Sequence, residues 1–156
     1  MKRFLIILLV TLSTNTFAKD LLNQPFPNIV LFDLNGKLIN LEKQKHKGLI
    51  LISFSATYCK PCKIEIGEFE KIAKEYSEEK IKIYLVFVDK SIDDIKKYAE
   101  ENKISLQILH DIYQVYMKKY EVTGLPTSFL IKDGKIIEIF KGFTEENIVK
   151  IKKYLK

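Results

Sequence analysis

Hydrophobic and polar positions along this chain change period several times, and each change marks an element. Gly48–Ser55 (GLILISFS) and Ile81–Asp89 (IKIYLVFVD) are short, nearly continuous apolar runs rich in Ile, Val and Phe. They are too short for buried helices and predict central strands of a sheet covered on both faces. Between them, within Cys59–Tyr76, the residues Cys62, Ile66, Phe69, Ala73 and Tyr76 recur at steps of four and three, while Lys and Glu fill most other positions. That spacing predicts an amphipathic helix with Pro61 near its start, where a missing N–H is harmless.

The flanking segments follow the same logic. Leu21–Pro27 holds two Pro residues and predicts an extended lead-in. Asn28–Asp33 and Lys37–Leu41 cluster apolar residues around Asn35-Gly36, a dipeptide suited to a tight hairpin. Ser91, followed by Asp93 and Asp94, caps a second helix that ends near Asn102 and buries Ile92, Ile95 and Ala99. Leu106–Leu109 predicts a short strand and Ile112–Lys119 a short helix, with Tyr113, Tyr116 and Tyr120 spaced for packing. Thr127–Ile131 and Lys135–Phe140 form a second hairpin through Lys132-Asp133-Gly134, and Thr144-Glu145-Glu146 opens a last helix with Ile148, Ile151 and Leu155 inward. Alternating strand and helix, then a hairpin and a closing helix, predict an α/β fold: a mixed central β-sheet flanked by α-helices, with an N-terminal β-hairpin extension.

Residues 1–18 stand apart. Lys2 and Arg3 precede the apolar run Phe4–Leu12, and a small, polar stretch ends at Ala18, the pattern of a secretory signal peptide cleaved after Ala18. The run is short for a membrane span, which needs roughly 20 apolar residues, and an uncleaved N-terminal anchor is the alternative. Residues 19–156 then form one domain without repeats or linkers, long enough for a core that needs no staples. Composition agrees: 47% hydrophobic and 29% charged residues in a 156-residue chain exclude disorder, collagen and a polytopic membrane protein. The formal charge is +6, yet the one Arg lies in the signal and the lysines alternate with Glu along helices. A solvated surface is expected, and no nucleic-acid partner.

Special residues are scarce: two Cys, two His and no Trp. Both cysteines fall in Cys59-Lys60-Pro61-Cys62, directly after a predicted strand and at a predicted helix start. The thiolate is the reactive form of Cys, and a helix N-terminus stabilises it with partial positive charge and unpaired N–H groups. Lys60 adds a cation. Cys59 is therefore the expected exposed nucleophile, and Cys62, on the apolar stripe, the buried resolving thiol. A zinc site is disfavoured, because only His46 and His110, in loops flanking different strands, could complete four ligands. A purely structural disulfide would close a very small loop and constrain little.

Phe54-Ser55-Ala56-Thr57-Tyr58-Cys59-Lys60-Pro61-Cys62 resembles the active-site stretch of thioredoxin-like proteins, and Gly124-Leu125-Pro126-Thr127 is similar to that fold's cis-proline loop. The resemblance is to the extracytoplasmic TlpA/ResA branch, in which a Glu follows the second Cys by three residues, as Glu65 does here. It spans residues 22–155 and implies a thioredoxin-like fold, a redox-active Cys59–Cys62 disulfide and a cis Pro126. Substrate contacts are implied at Tyr58, Lys60, Pro61, Leu125 and Pro126, with the Leu125 backbone free to pair with a substrate strand. Two departures stand out: Tyr58 replaces the usual Trp before the first Cys, and Gly67 replaces a helix Pro, leaving a weaker helix that could still bend. Glu65, at i+3 from Cys62, is expected on the shoulder of the buried stripe, where burial raises its pKa and equips it to take the Cys62 proton.

The expected function is an extracytoplasmic, periplasmic thiol–disulfide oxidoreductase that reduces protein disulfides, in the manner of reductases serving cytochrome c maturation. Its partners would be a disulfide-containing protein substrate and a membrane-bound thiol reductant, with no organic cofactor or metal, acting as a monomer. One rival is a disulfide-forming oxidase, which Lys60 favours and a reduction potential near about −120 mV would support. Against it, the chain has no room for the helical insertion typical of oxidases of this fold. A peroxidase is poorer, since Thr57 is at the wrong spacing from Cys59. The rival from another class is a copper- or zinc-binding metallochaperone using both cysteines with His110.

Overall fold

The computed structural model describes residues 21–156 except Pro27 and Lys45; the signal-like stretch 1–18 lies outside the described residues. In chain order the elements are β1 (Val30–Asp33), β2 (Leu38–Asn40), β3 (Leu49–Ser55), α1 (Lys60–Glu75), β4 (Ile81–Phe87), α2 (Ile92–Glu101), β5 (Gln107–His110), α3 (Val115–Lys119), β6 (Thr127–Lys132), β7 (Lys135–Lys141) and α4 (Glu145–Lys153). The seven strands join one sheet in the order β2-β1-β5-β4-β3-β6-β7. Strands β3, β4 and β5 are parallel, and the pairs β3–β6, β6–β7, β1–β5 and β1–β2 are antiparallel.

Both hairpins close through turn chemistry visible in the chain. Asp33 Oδ1 accepts from the N–H groups of Asn35 and Lys37, each at 2.9 Å, while Gly36 supplies φ +79°. Asp133 and Gly134 supply φ +49° and +73° at the β6–β7 turn. The N-terminal hairpin is not appended to a finished sheet: Phe32↔His110 and Asp33↔Leu109 make β1 the neighbour of β5. The lead-in protects the opposite edge, with a Pro25↔Lys135 bridge and the Phe26 N–H donating to Gly134 O at 2.7 Å.

Alternation along the central strands divides the core into two layers. On one face Ile52, Phe54, Tyr84, Val86, Leu109, Phe129 and Ile131 pack with Ile29, Tyr120 and Val122. On the other, Leu49, Leu51, Ile83, Leu85, Phe87 and Leu130 pack under Ile66, Phe69 and Ile72 of α1, Ile95 of α2, and Ile148, Ile151 and Leu155 at and just beyond α4. Burying each of these larger side chains contributes about 1.5–3 kcal/mol against chain entropy.

Several details differ from the periodicity. The inward stripe of α1 is Cys62, Glu65, Ile66, Phe69 and Ile72; Ala73 is exposed and Tyr76 half-buried. A step of three from Phe69 brings the larger Ile72 onto the sheet and turns Ala73 outward. Helix α1 runs unbroken through the exposed Gly67. Helix α3 begins at Val115, because the Asp111 carboxylate accepts from the N–H groups of Val115, Tyr116 and Met117, each at 2.9 Å, and Gln114 enters at φ +54°. Tyr113 does not pack but is 78% exposed, whereas Tyr120 is buried among Phe26, Phe54 and Phe129.

Candidate active site

The parallel strands β3, β4 and β5 end on one side of the sheet, and the antiparallel strand β6 begins there, with Phe54 opposite Thr127. The link from β3 into α1 and the loop preceding β6 therefore share that edge. Thr57 anchors the link: its N–H lies 3.1 and 3.2 Å from the Asp89 carboxylate oxygens and its hydroxyl donates to Oδ1 at 2.5 Å. The Asp89 side chain, beyond the end of β4, thus ties two strand ends together beside the cysteines.

Cys59 is the N-cap of α1, and its Sγ accepts a hydrogen bond from the Cys62 N–H at 3.3 Å. A sulfur occupies the place usually taken by a capping oxygen, where the helix end favours negative charge. Cys59 is half-buried, Cys62 is wholly buried, and the two form a disulfide with Cα atoms 5.3 Å apart. Tyr58 is 72% exposed, and Lys60 and Pro61 are exposed beside it. In the facing loop the Leu125–Pro126 peptide is cis. Thr127 Oγ1 donates to Gly124 O at 2.7 Å and the Gly142 N–H to Pro126 O at 2.8 Å. Between these tethers, the Leu125 N–H and C=O have no hydrogen-bond partner among the described residues.

Glu65 lies deeper than its place on the helical stripe suggests, at 2% exposure. Ser53 Oγ donates to its Oε2 at 2.6 Å, and Ser128 Oγ donates to both carboxylate oxygens at 3.2 Å. The two serines are register partners across β3 and β6. Burial pushes the carboxyl up from 4.5 to about 7, and the two hydroxyl donors hold it back only in part. Because the chain reverses between Ser55 and Lys60, the start of α1 lies over the end of β3. Three residues back along the helix, ~4.5 Å, is Cys62, and two residues on along the strand, roughly 7 Å, is Ser55. Ser55 Oγ is buried and accepts or donates no hydrogen bond among the described residues.

The structure thus brings Tyr58, Cys59, Lys60, Pro61, Cys62 and Glu65 together and sets Leu125 and Pro126 at the same sheet edge. It separates the histidines. His46 precedes β3, and burial holds its imidazole below the ordinary value. His110, instead of sitting in a loop, ends β5, with Nε2 2.7 Å from the Asp89 carbonyl oxygen. Among the described residues, no three His, Cys, Asp or Glu side chains form a metal-binding group. Ser53, Ser128 and Asp89 were missed from the sequence. A signal existed for Ser53, a polar residue at an inward position of an apolar run.

A mixed sheet of this order, with a Cys-x-x-Cys disulfide at the junction of a central strand and the following helix, defines the class as thioredoxin-like thiol–disulfide oxidoreductases. The chain belongs to the AhpC/TSA family, whose model matches residues 22–139. It is 36% identical over 131 residues to the thiol-disulfide oxidoreductase ResA of Bacillus thuringiensis subsp. konkukian, covering 83% of this chain and 74% of that protein. Identity to ResA of Bacillus subtilis is 32% over 124 residues, covering 79% and 69%. The fold matches the thioredoxin domain of a thiol-disulfide oxidoreductase from Bacteroides vulgatus with a TM-score of 0.77 at 22% identity, over 86% of this chain and 98% of that one. It matches StoA from Bacillus subtilis with a TM-score of 0.70 at 20% identity, over 86% and 99%.

Proposed function

We propose that this thiol–disulfide oxidoreductase works in the reducing direction, outside the cytoplasmic membrane, with Cys59 as nucleophile and Cys62 as resolving thiol. The Cys59 thiolate attacks a protein disulfide, forming a mixed disulfide and releasing one substrate sulfur as thiolate. Cys62 then gives its proton to Glu65 and attacks Cys59 Sγ, closing the Cys59–Cys62 disulfide and releasing the second substrate sulfur, which takes up the proton. Two electrons pass to the substrate, and a membrane-bound thiol reductant restores the dithiol. The observation that carries this reading is the asymmetry of the pair: Cys59 Sγ caps the helix and is half-buried, while Cys62 is fully buried one turn from Glu65. The unpaired Leu125 backbone supports pairing with an extended substrate strand, flanked by Tyr58, Lys60, Pro61 and Pro126.

The extracytoplasmic location rests on the signal-like pattern of residues 1–18; no helix of the described residues is long and apolar enough to cross a membrane. A protein of cytochrome c maturation is the substrate class that fits the similarity to ResA, and the chain is taken to act on it as a monomer. The test is trapping. Cys62→Ala, expressed in the native host, should accumulate mixed disulfides on Cys59, and Cys59→Ser should form none and lose disulfide reduction. An empty trap would count against specific exchange. The hydrogen bond that stabilises a Cys59 thiolate also suits an oxidase, so equilibration with a thiol buffer decides direction: a potential below roughly −200 mV is expected, and one near about −120 mV would reverse the assignment.

A further inference from the structure

We propose that Ser53 and Ser128 act as a two-hydroxyl clamp, positioning residues that orient the Glu65 carboxylate and govern how readily it accepts a proton from Cys62. The inference rests on the proton-transfer role proposed for Glu65 and deepens it. The two serines are directly opposite each other on adjacent strands and present their hydroxyls on the face that α1 covers. Ser53 bonds Oε2 alone at 2.6 Å, while Ser128 divides its bond between the two oxygens at 3.2 Å. Oε2 is therefore the tethered oxygen, and Oε1, with only half of the weaker bond, is the one left to receive a proton.

Hydroxyl donors to a carboxylate favour its charged form, and here they work against burial. Among the described residues no charged group shares the task. On this face α1 contributes Cys62, Ile66 and Phe69, β3 Leu51, Ser53 and Ser55, and β6 Ser128 and Leu130, none of them charged while the disulfide is closed, and the rest of the layer from β4, α2 and α4 is apolar. Burial raises the Glu65 carboxyl, and the Ser53 and Ser128 hydroxyls oppose it. Removing the serines would leave the carboxyl protonated over a wider range, and so unable to take the Cys62 proton at neutral pH.

The titration of Glu65 is measurable in the oxidised full chain by carbon-13 carboxyl resonance, where the closed disulfide keeps both cysteines silent. In wild type it should titrate at about 7. In Ser53→Ala/Ser128→Ala it should move up by ~1 unit or more, and release of product from a preformed mixed disulfide should slow by ~10-fold at pH 7 and recover towards pH 9. Ser128→Thr, which keeps a hydroxyl, should restore the wild-type titration, and Ser55→Ala, which touches no carboxylate oxygen, should leave it in place. If the double variant does not fold, Ser128→Ala alone carries the test with a smaller upward shift. A folded Ser53→Ala/Ser128→Ala or Ser128→Ala variant in which Glu65 titrates as in wild type overturns the clamp. A Glu65→Gln variant that keeps the wild-type pH–rate profile removes the proton-transfer reading itself, and the proposal with it.

Discussion

Strands β3 and β6 carry opposite chemistries on their two faces, one residue apart. Phe54 and Phe129 meet edge to face at 6.0 Å on one side, with Tyr120 against both at 5.9 and 5.3 Å. On the other side Ser53 and Ser128 hold a buried carboxyl under the cysteines. The aromatic face gains from burial, which also holds the Tyr120 and Tyr84 phenols above their ordinary value and so keeps them neutral. The polar face accepts the cost of burying a carboxyl: two charge-assisted hydrogen bonds, worth roughly 1.5–3 kcal/mol each, do not prevent its upward shift. The same strand pair therefore separates stability from proton chemistry by the period-2 alternation of side chains alone.

The sharpest way to break the aromatic face is Phe129→Ala, which should cost ~3–5 kcal/mol in a denaturant titration. Exchange activity per folded molecule should persist, because no atom of Phe129 takes part in it. The polar face should show itself next, in the pH dependence of stability. Glu65 has a folded-state pKa above its unfolded value, so the native state binds the extra proton between pH 4.5 and about 7. Stability of the oxidised protein should fall as pH rises through that window, by about 3 kcal/mol in all, and Glu65→Gln should remove this slope. The smallest effect belongs to Ser55, whose hydroxyl is buried without a partner. Ser55→Ala should stabilise the fold by ~1 kcal/mol; a clear loss of stability would show that the hydroxyl is satisfied in solution.

How much of this contrast is visible in the chain depends on the distance over which each contact forms. The apolar runs, the Asn35-Gly36 and Asp133-Gly134 turns, the Ser91 cap and the Cys59 helix start are local, and each element appears where local chemistry puts it. Glu65 was legible as a carboxyl beside the stripe, because helical spacing alone relates it to Cys62. Its full burial was not, because that depends on Ser128, 63 residues away and brought opposite Ser53 only by strand pairing. The placement of β1 beside β5 and the tie between Thr57 and Asp89 are hidden for the same reason. Ile72 displaced Ala73 because the exact rotation of α1 follows side-chain volume at the sheet, which steps of three and four leave open.

The central claim is that the polar face supplies the proton acceptor for the resolving thiol. Product release from a preformed Cys59 mixed disulfide, followed across pH 5–9 in wild type and Glu65→Gln, tests it most directly. Wild type should rise through an inflection near pH 7, and Glu65→Gln should lack that inflection and be slower by ~100-fold at neutral pH. Equal rates with the same inflection in both proteins would contradict the account.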